Sequence, residues 1–126
     1  MGLKAIIDLK SIDNYFIVTS NTNGFINSKE VDFKKDNFWE VYGSKGHYQC
    51  EHGKIFDNNR NNPFTIGFDK IKCPCEDGLE AIPNVLNLNN SNFNPERSDR
   101  QNSNFRNTIK KIIDSKEKFV VLEFGD

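Results

Sequence analysis

The residues able to do metal chemistry form two short pairs in the middle of the chain. Cys50 and His52 lie two positions apart, and Cys73 and Cys75 repeat that spacing further along. His47 is the only other Cys or His in the 126-residue sequence. Zinc is bound by about four such ligands at tetrahedral geometry, commonly supplied as two closely spaced pairs. The pattern therefore predicts a structural zinc site if the two pairs meet in space.

The same residues also fit an interpretation without a metal. One intervening residue is fewer than the two to four that usually separate paired zinc ligands. Free cysteine is among the most buried residue types and often packs as a small hydrophobe. Under strict strand alternation, Tyr48 would share a face with Cys50 and His52, as in an apolar core. A purely structural packing role is therefore the competing interpretation.

The histidines are also candidates for acid–base chemistry on a nucleotide or phosphodiester substrate. Lys54 or Arg60 would then bind the anion. Because His47 and His52 are five positions apart, a regular strand would point them to opposite faces. A Cys50 nucleophile would need a histidine base within hydrogen-bond reach, but on a strand His52 lies about 6–7 Å away at Cα. The sequence shows no catalytic set, which favours a protein that is not an enzyme.

Short strands separated by turns are predicted to position these residues over the first two thirds of the chain. Alternating apolar residues predict a strand over 3–9, and aromatic and β-branched residues over 15–19 predict a second strand paired with it. The segment 47–52 is predicted to return antiparallel to 38–42 through a turn at 43–46. Residues 54–56 are predicted to continue the strand 47–52 after a bulge at Gly53. Further strands are predicted over 29–33, 64–72 and 79–88.

Turn residues and a proline refine this prediction. Asn23-Gly24 and Asp77-Gly78 are strong turn signals, and the second would link the strand 64–72 to the segment 79–88. Pro83 cannot donate a ladder hydrogen bond, so that segment is predicted to be an edge strand or an irregular one.

The C-terminal part of the sequence changes to a helical pattern. Ser98 and Gln101 fit a capping box, with Ser98 as the N-cap. Four apolar residues between Phe105 and Ile113 then recur at helical spacing, which predicts a helix over about 99–115. The near-continuous apolar run 118–124 predicts a terminal strand inside a sheet.

Together these elements predict one α+β domain over residues 1–126. Its sheet would be antiparallel or mixed, with about six to eight short strands, one C-terminal helix and the terminal strand. A domain of this length can bury enough apolar surface to fold without staples.

Charge and aromatic residues indicate the kind of partner. The net charge of −1 and the pI near 6.1 argue against a general nucleic-acid binder. Residues 97–118 nevertheless carry a net charge of +4, which predicts a basic face on the helix. The favoured hypothesis is a non-enzymatic binding protein that covers a protein partner, as an inhibitor, immunity or anti-defence protein does. The candidate binding residues are Trp39, Tyr42, Arg100, Arg106 and Lys110.

Composition also indicates the cellular setting. No apolar run reaches signal-peptide or transmembrane length, and an odd number of cysteines fits a reducing compartment. We therefore expect a cytoplasmic protein with no membrane partner. The abundance of Asn, and of Lys over Arg, is typical of an AT-rich bacterial or viral source.

Overall fold

Two small β-sheets and one long helix make up the described fold. The computed structural model describes residues 14–28, 31–57, 72–75, 79–87 and 92–125. The predicted strand over 3–9 and nearly all of the one over 64–72 lie outside these residues. Within them, the mixed α+β class predicted from the sequence is confirmed, although the five strands are fewer than the six to eight expected.

The first sheet pairs two three-residue strands in parallel. Strand β1 is Ile17–Thr19 and strand β2 is Phe38–Glu40. Parallel strands require a crossover connection, and this one contains two short 3-10 helices, Phe25–Asn27 and Lys35–Asn37. The connection also supplies much of the apolar core. The buried residues of this core are Ile26, Val31, Phe33 and Phe38.

The second sheet has three antiparallel strands in the order β4-β3-β5. Strand β3 is Gly43–Gln49, β4 is Ile55–Asp57 and β5 is Ile82–Val85. The prediction that residues 54–56 continue the strand 47–52 past a bulge is wrong, because the chain reverses at Gly53 and β4 pairs antiparallel with β3. Among the described strands β5 lies at the edge of this sheet, as predicted for the segment that contains Pro83.

The predicted hairpin between 38–42 and 47–52 is wrong, because β2 and β3 belong to different sheets. The residues predicted as its turn instead form the first half of β3. Gly43 explains this arrangement. Its φ of +86° favours glycine, and a Cβ there would collide with the carbonyl oxygen of Asn84 in β5. The glycine therefore permits the close approach of β3 and β5.

The helix α1 covers Glu96–Ser115 and begins earlier than predicted. Pro95 is the N-cap, and Ser98 makes no cap hydrogen bond, so the predicted capping box is wrong. Ser98 Oγ instead accepts a 3.0 Å hydrogen bond from Trp39 Nε1, and Gln101 Oε1 accepts one of 3.0 Å from the Glu40 amide. The two side chains therefore bind α1 to β2 rather than to its own first turn.

The predicted terminal strand is also wrong. Residues 117–125 form no strand and are exposed. A β-strand requires a hydrogen-bonded neighbour, and none of the described strands pairs with this segment. Among the described residues, no helix has both the length and the apolar character needed to cross a membrane.

Candidate metal centre

Four side chains from two separate segments converge on one point. One ligand atom from each of Cys50, His52, Cys73 and Cys75 lies within 4.8 Å of all the others. Cys73 Sγ and His52 Nδ1 are 3.7 Å apart. Zn–S bonds of about 2.3 Å and Zn–N bonds of about 2.0 Å at tetrahedral angles imply ligand separations of about 3.5–3.8 Å. The cluster is thus close to the dimensions of a zinc site.

The first pair is placed by the tight turn between β3 and β4. The Cys50 amide donates to the Lys54 carbonyl, and the Gly53 amide donates to the Cys50 carbonyl, each at 3.0 Å. Gly53 adopts a φ of +80°, which lets the chain reverse within four residues. The turn leaves Cys50 buried and His52 exposed.

The second pair sits where two short segments pair in antiparallel fashion. Lys72 forms a β-bridge with Glu80, and the Cys73 amide donates to the Leu79 carbonyl at 2.7 Å. The Cys75 amide donates to Cys73 Sγ at 3.4 Å. Hydrogen bonds of this kind orient a metal-binding sulfur and favour its thiolate form. The local backbone therefore already supports Cys73 as a ligand.

The two buried thiols have opposite pKa shifts. Burial raises the pKa of Cys50, but hydrogen bonds with Cys73, Lys54 and His52 outweigh it and lower that pKa to about 6. Burial and the neighbouring Cys50 raise the pKa of Cys73 to about 12. Without a cation, the two sulfurs thus favour one thiolate and one thiol. A divalent metal would replace the proton and stabilise both thiolates.

His47 lies outside the cluster and has a different partner. Its Nε2 is 2.5 Å from Asp57 Oδ1, across the β3–β4 pair. The pKa of His47 is lowered to about 4, because burial and the positive charge of Arg97 outweigh the attraction of Asp57. The ring is therefore neutral at pH 7. The alternative mechanism that uses both histidines gains no shared site, since His52 points into the cluster.

One buried charge pair was not predicted from the sequence. Arg97 Nη2 is 2.6 Å from Glu40 Oε1, and both side chains are almost fully buried. Burial raises the pKa of Glu40, while Arg97 and Ser44 oppose that shift. Glu40 and Arg97 are 57 positions apart, so no local pattern connects them. The one sequence signal for a buried charge was Glu40 itself, an acidic residue in the otherwise aromatic strand β2.

The predicted binding residues do not form one surface. Trp39 packs on α1, with its ring 5.8 Å from that of Phe105, whereas Tyr42 is exposed. Arg100 lines a large cavity. Arg106 and Lys110 line a shallow apolar groove on α1. A binding role for these residues stays a prediction.

Only one of the two anion ligands suggested for the enzyme alternative lies within the described residues. Arg60 lies outside the described residues, and Lys54 is exposed beside the turn that carries His52.

Comparison with protein-family models and with curated proteins found no match to this chain.

Proposed function

We propose that this protein is a small zinc-binding domain. The observation that carries the proposal is the convergence of four ligand atoms, from two segments, within 4.8 Å of one another. Three thiols and one imidazole are soft donors, which suit zinc rather than calcium or magnesium. The ligands are Cys50, His52, Cys73 and Cys75.

The role proposed for the zinc is structural. Catalytic zinc sites keep one coordination position for water or substrate, whereas structural sites fill all four with protein ligands. Here four protein ligands are in place, so the metal would tie the β3–β4 turn to the segment 72–75. This role agrees with the absence of a catalytic motif in the sequence.

Metal analysis of purified variants tests this proposal. Wild-type protein refolded with zinc should retain about one equivalent after dialysis, as a structural site does. Cys73→Ser and His52→Gln should each lose most of it. His47→Gln is the matched control, because His47 is the only Cys or His outside the cluster.

Two results would contradict the zinc proposal. One is a wild-type zinc content below about 0.2 equivalents, far from the stoichiometry of a structural site. The other is full zinc retention in a Cys50→Ser/Cys73→Ser double variant whose circular dichroism is unchanged.

A second candidate function, the covering of a protein partner, is supported by the C-terminal segment 117–125. Its five large apolar residues are between 49% and 81% exposed. Exposed apolar patches mark interaction sites, and β-branched and aromatic residues suit strand addition to an open sheet edge. We therefore propose a partner protein with an unpaired β-sheet edge. The five residues are Phe119, Val120, Val121, Leu122 and Phe124.

Binding to a purified partner, identified by cross-linking in a host lysate, tests this second candidate. A Val120→Asp/Leu122→Asp variant should bind it at least about tenfold more weakly, as expected for lost anchor residues. Lys118→Ala, in the same exposed segment, should bind like wild type. Unchanged binding of the double variant, or self-association of this chain as the only interaction, would overturn it.

A further inference from the structure

The three thiols of the cluster lie close enough to react with one another. Cys50, Cys73 and Cys75 are the only cysteines in the chain, and none is in a disulfide. Their sulfur atoms lie within 4.8 Å of one another. A disulfide joins two sulfurs at about 2.05 Å, so a shift of less than about 3 Å would bring any two of them together. The geometry therefore suits disulfide formation as well as metal binding.

Exposure distinguishes one thiol from the other two. Cys75 is partly exposed, whereas Cys50 and Cys73 are only 6% and 5% exposed. Oxidation of a cysteine depends on the access of the oxidant to its sulfur. Cys75 is therefore the thiol that a small oxidant in solution reaches first.

The sulfur best placed to join Cys75 belongs to Cys50. Cys73 is separated from Cys75 only by Pro74, whose ring fixes the backbone φ angle, so a disulfide between them would close a small, strained ring. The Cys73 backbone is also held by the hydrogen bond from its amide to the Leu79 carbonyl. Cys50 comes from a separate segment, the turn between β3 and β4, and no such small ring forms when it bonds to Cys75.

We propose that the cluster is a redox-sensitive site, at which hydrogen peroxide joins Cys75 to Cys50 and releases the metal. This inference rests on the zinc proposal, because the metal released is the one that these ligands hold. The disulfide would connect the same two segments that the metal connects, the β3–β4 turn and residues 72–75. The protein would therefore lose its metal while the two segments stay joined.

The reaction takes place in two steps. The Cys75 thiolate attacks one oxygen of the peroxide, so that a sulfur–oxygen bond forms, the oxygen–oxygen bond breaks, and the hydroxide that leaves takes up a proton. The Cys50 thiolate then attacks the Cys75 sulfur, which forms the disulfide and expels a second hydroxide that also takes up a proton. The two sulfurs lose two electrons in total, and the peroxide is reduced to two water molecules.

This reaction removes two of the three thiolate ligands. Cys73 and His52 are then the only ligands of the cluster left, which is too few for a closed tetrahedral site. A thiol reductant reverses the change by breaking the disulfide. Peroxide and reductant therefore control the metal content of the site in opposite directions.

Peroxide treatment of the zinc-loaded wild-type protein tests the inference. A chromogenic zinc indicator should report the release of about one equivalent of zinc for each disulfide formed. A non-reduced tryptic digest should contain the peptide 46–54 joined to the peptide 73–97. Iodoacetamide added to the denatured, oxidised protein should label Cys73 alone, because it is the one thiol that remains. Dithiothreitol and added zinc should restore the reduced, metal-bound protein.

Matched serine variants, treated in the metal-free form, locate the point of attack. Cys75→Ser should slow disulfide formation by peroxide at least about tenfold, because it removes the accessible thiol. Cys73→Ser removes a buried thiol that takes no part, so its disulfide should form within about twofold of the wild-type rate. Circular dichroism before treatment checks that both variants are folded.

Three results would overturn the inference. The first is no linked peptide after peroxide treatment of the folded wild-type protein. The second is a disulfide between Cys50 and Cys73, which would leave Cys75 as the labelled thiol. The third is an equal rate of disulfide formation in the Cys75→Ser and Cys73→Ser variants.

A failure of the zinc proposal gives a different result. If the wild-type protein binds no zinc but peroxide still joins Cys50 to Cys75, the zinc proposal is wrong and the disulfide chemistry stands. If the protein binds zinc and peroxide forms no disulfide, the zinc proposal stands and the redox inference is wrong.

Discussion

The role of several side chains in this protein depends on contacts with residues that are far away in the sequence. The Glu40–Arg97 pair is the clearest case, because two opposite charges are removed from water at the contact between β2 and α1. Removing one member of a buried pair leaves an uncompensated charge, whereas replacing both with apolar residues is often nearly neutral.

The first prediction concerns this pair. Arg97→Met should lower the free energy of unfolding by about 3–5 kcal/mol, because Glu40 then stays buried without its cation. A Glu40→Leu/Arg97→Met double variant should lose much less. Urea denaturation of the four proteins of this cycle measures the coupling. Lys111→Met, an exposed cation of the same helix, should change stability by less than about 0.5 kcal/mol, and strictly additive losses would refute the coupling.

The second prediction concerns the pH dependence contributed by His47. Its folded pKa of about 4 lies below the unfolded value of 6.5, so protonation favours the unfolded chain. The stability it contributes is complete above pH 6.5 and is lost as the pH falls towards 4.

A comparison of wild type with His47→Gln isolates this effect, because all other titratable groups are present in both proteins. The advantage of wild type over His47→Gln, from urea denaturation, should be about 2 kcal/mol smaller at pH 5 than at pH 7. An advantage that stays constant between these pH values would show that His47 titrates normally.

The sequence singled out the four residues of the Cys/His cluster but not the Glu40–Arg97 pair or the His47–Asp57 contact. Cys and His are rare in this chain, so their spacing alone singled out Cys50, His52, Cys73 and Cys75. Asp57 and Arg97 are two of many charged residues. Their importance depends on tertiary neighbours that no local pattern encodes.

At the scale of elements, tertiary contacts overrode local signals. The capping box predicted for Ser98 and Gln101 does not form. Instead, both side chains accept hydrogen bonds from residues of β2, the strand that α1 covers. A local cap is worth about 1 kcal/mol, and the two hydrogen bonds to β2, one buried and one partly buried, together contribute about as much or more. The helix therefore begins at Glu96, with Pro95 as its N-cap, and these two side chains face β2.

The third prediction concerns the contact between β3 and β5. Gly43→Ala should destabilise the protein by more than about 2 kcal/mol, because it adds overpacking against Asn84 to the penalty of a positive φ. Gly53→Ala is the matched control, with a similar φ of +80° but open space around its Cβ. Gly53→Ala should cost only about 1 kcal/mol.

Thermal and urea denaturation of the two glycine variants measure this difference. Equal losses of stability would mean that only the backbone conformation matters and that β3 and β5 can separate slightly without cost.

At the scale of the whole molecule, the sequence indicated the fold class but not its topology. Alternating and β-rich segments, followed by one amphipathic pattern, were enough to predict α+β. The parallel pairing of β1 with β2 was not predictable, since hairpins are the default for neighbouring strands. The apolar segment 118–124 had strand propensity but gained no pairing partner among the described strands.

The fourth prediction concerns zinc and global stability. Metal that binds only the folded state stabilises it by mass action, by about 2.7 kcal/mol when free zinc is 100 times the Kd. The melting temperature from calorimetry should therefore rise with free zinc in wild type and fall on chelation. Cys73→Ser should show neither change, whereas a zinc-dependent rise in that variant would place the metal elsewhere.

The position of the single tryptophan has a practical consequence for following this molecule in solution. Trp39 donates a hydrogen bond to Ser98 and packs on Phe105, so its intrinsic fluorescence reports on the contact between β2 and α1. The turn that carries Cys50 and His52 belongs to the other sheet. Local opening of one region can precede global unfolding. The fluorescence of Trp39 can therefore stay unchanged although the second sheet, with the turn that carries Cys50 and His52, has already unfolded.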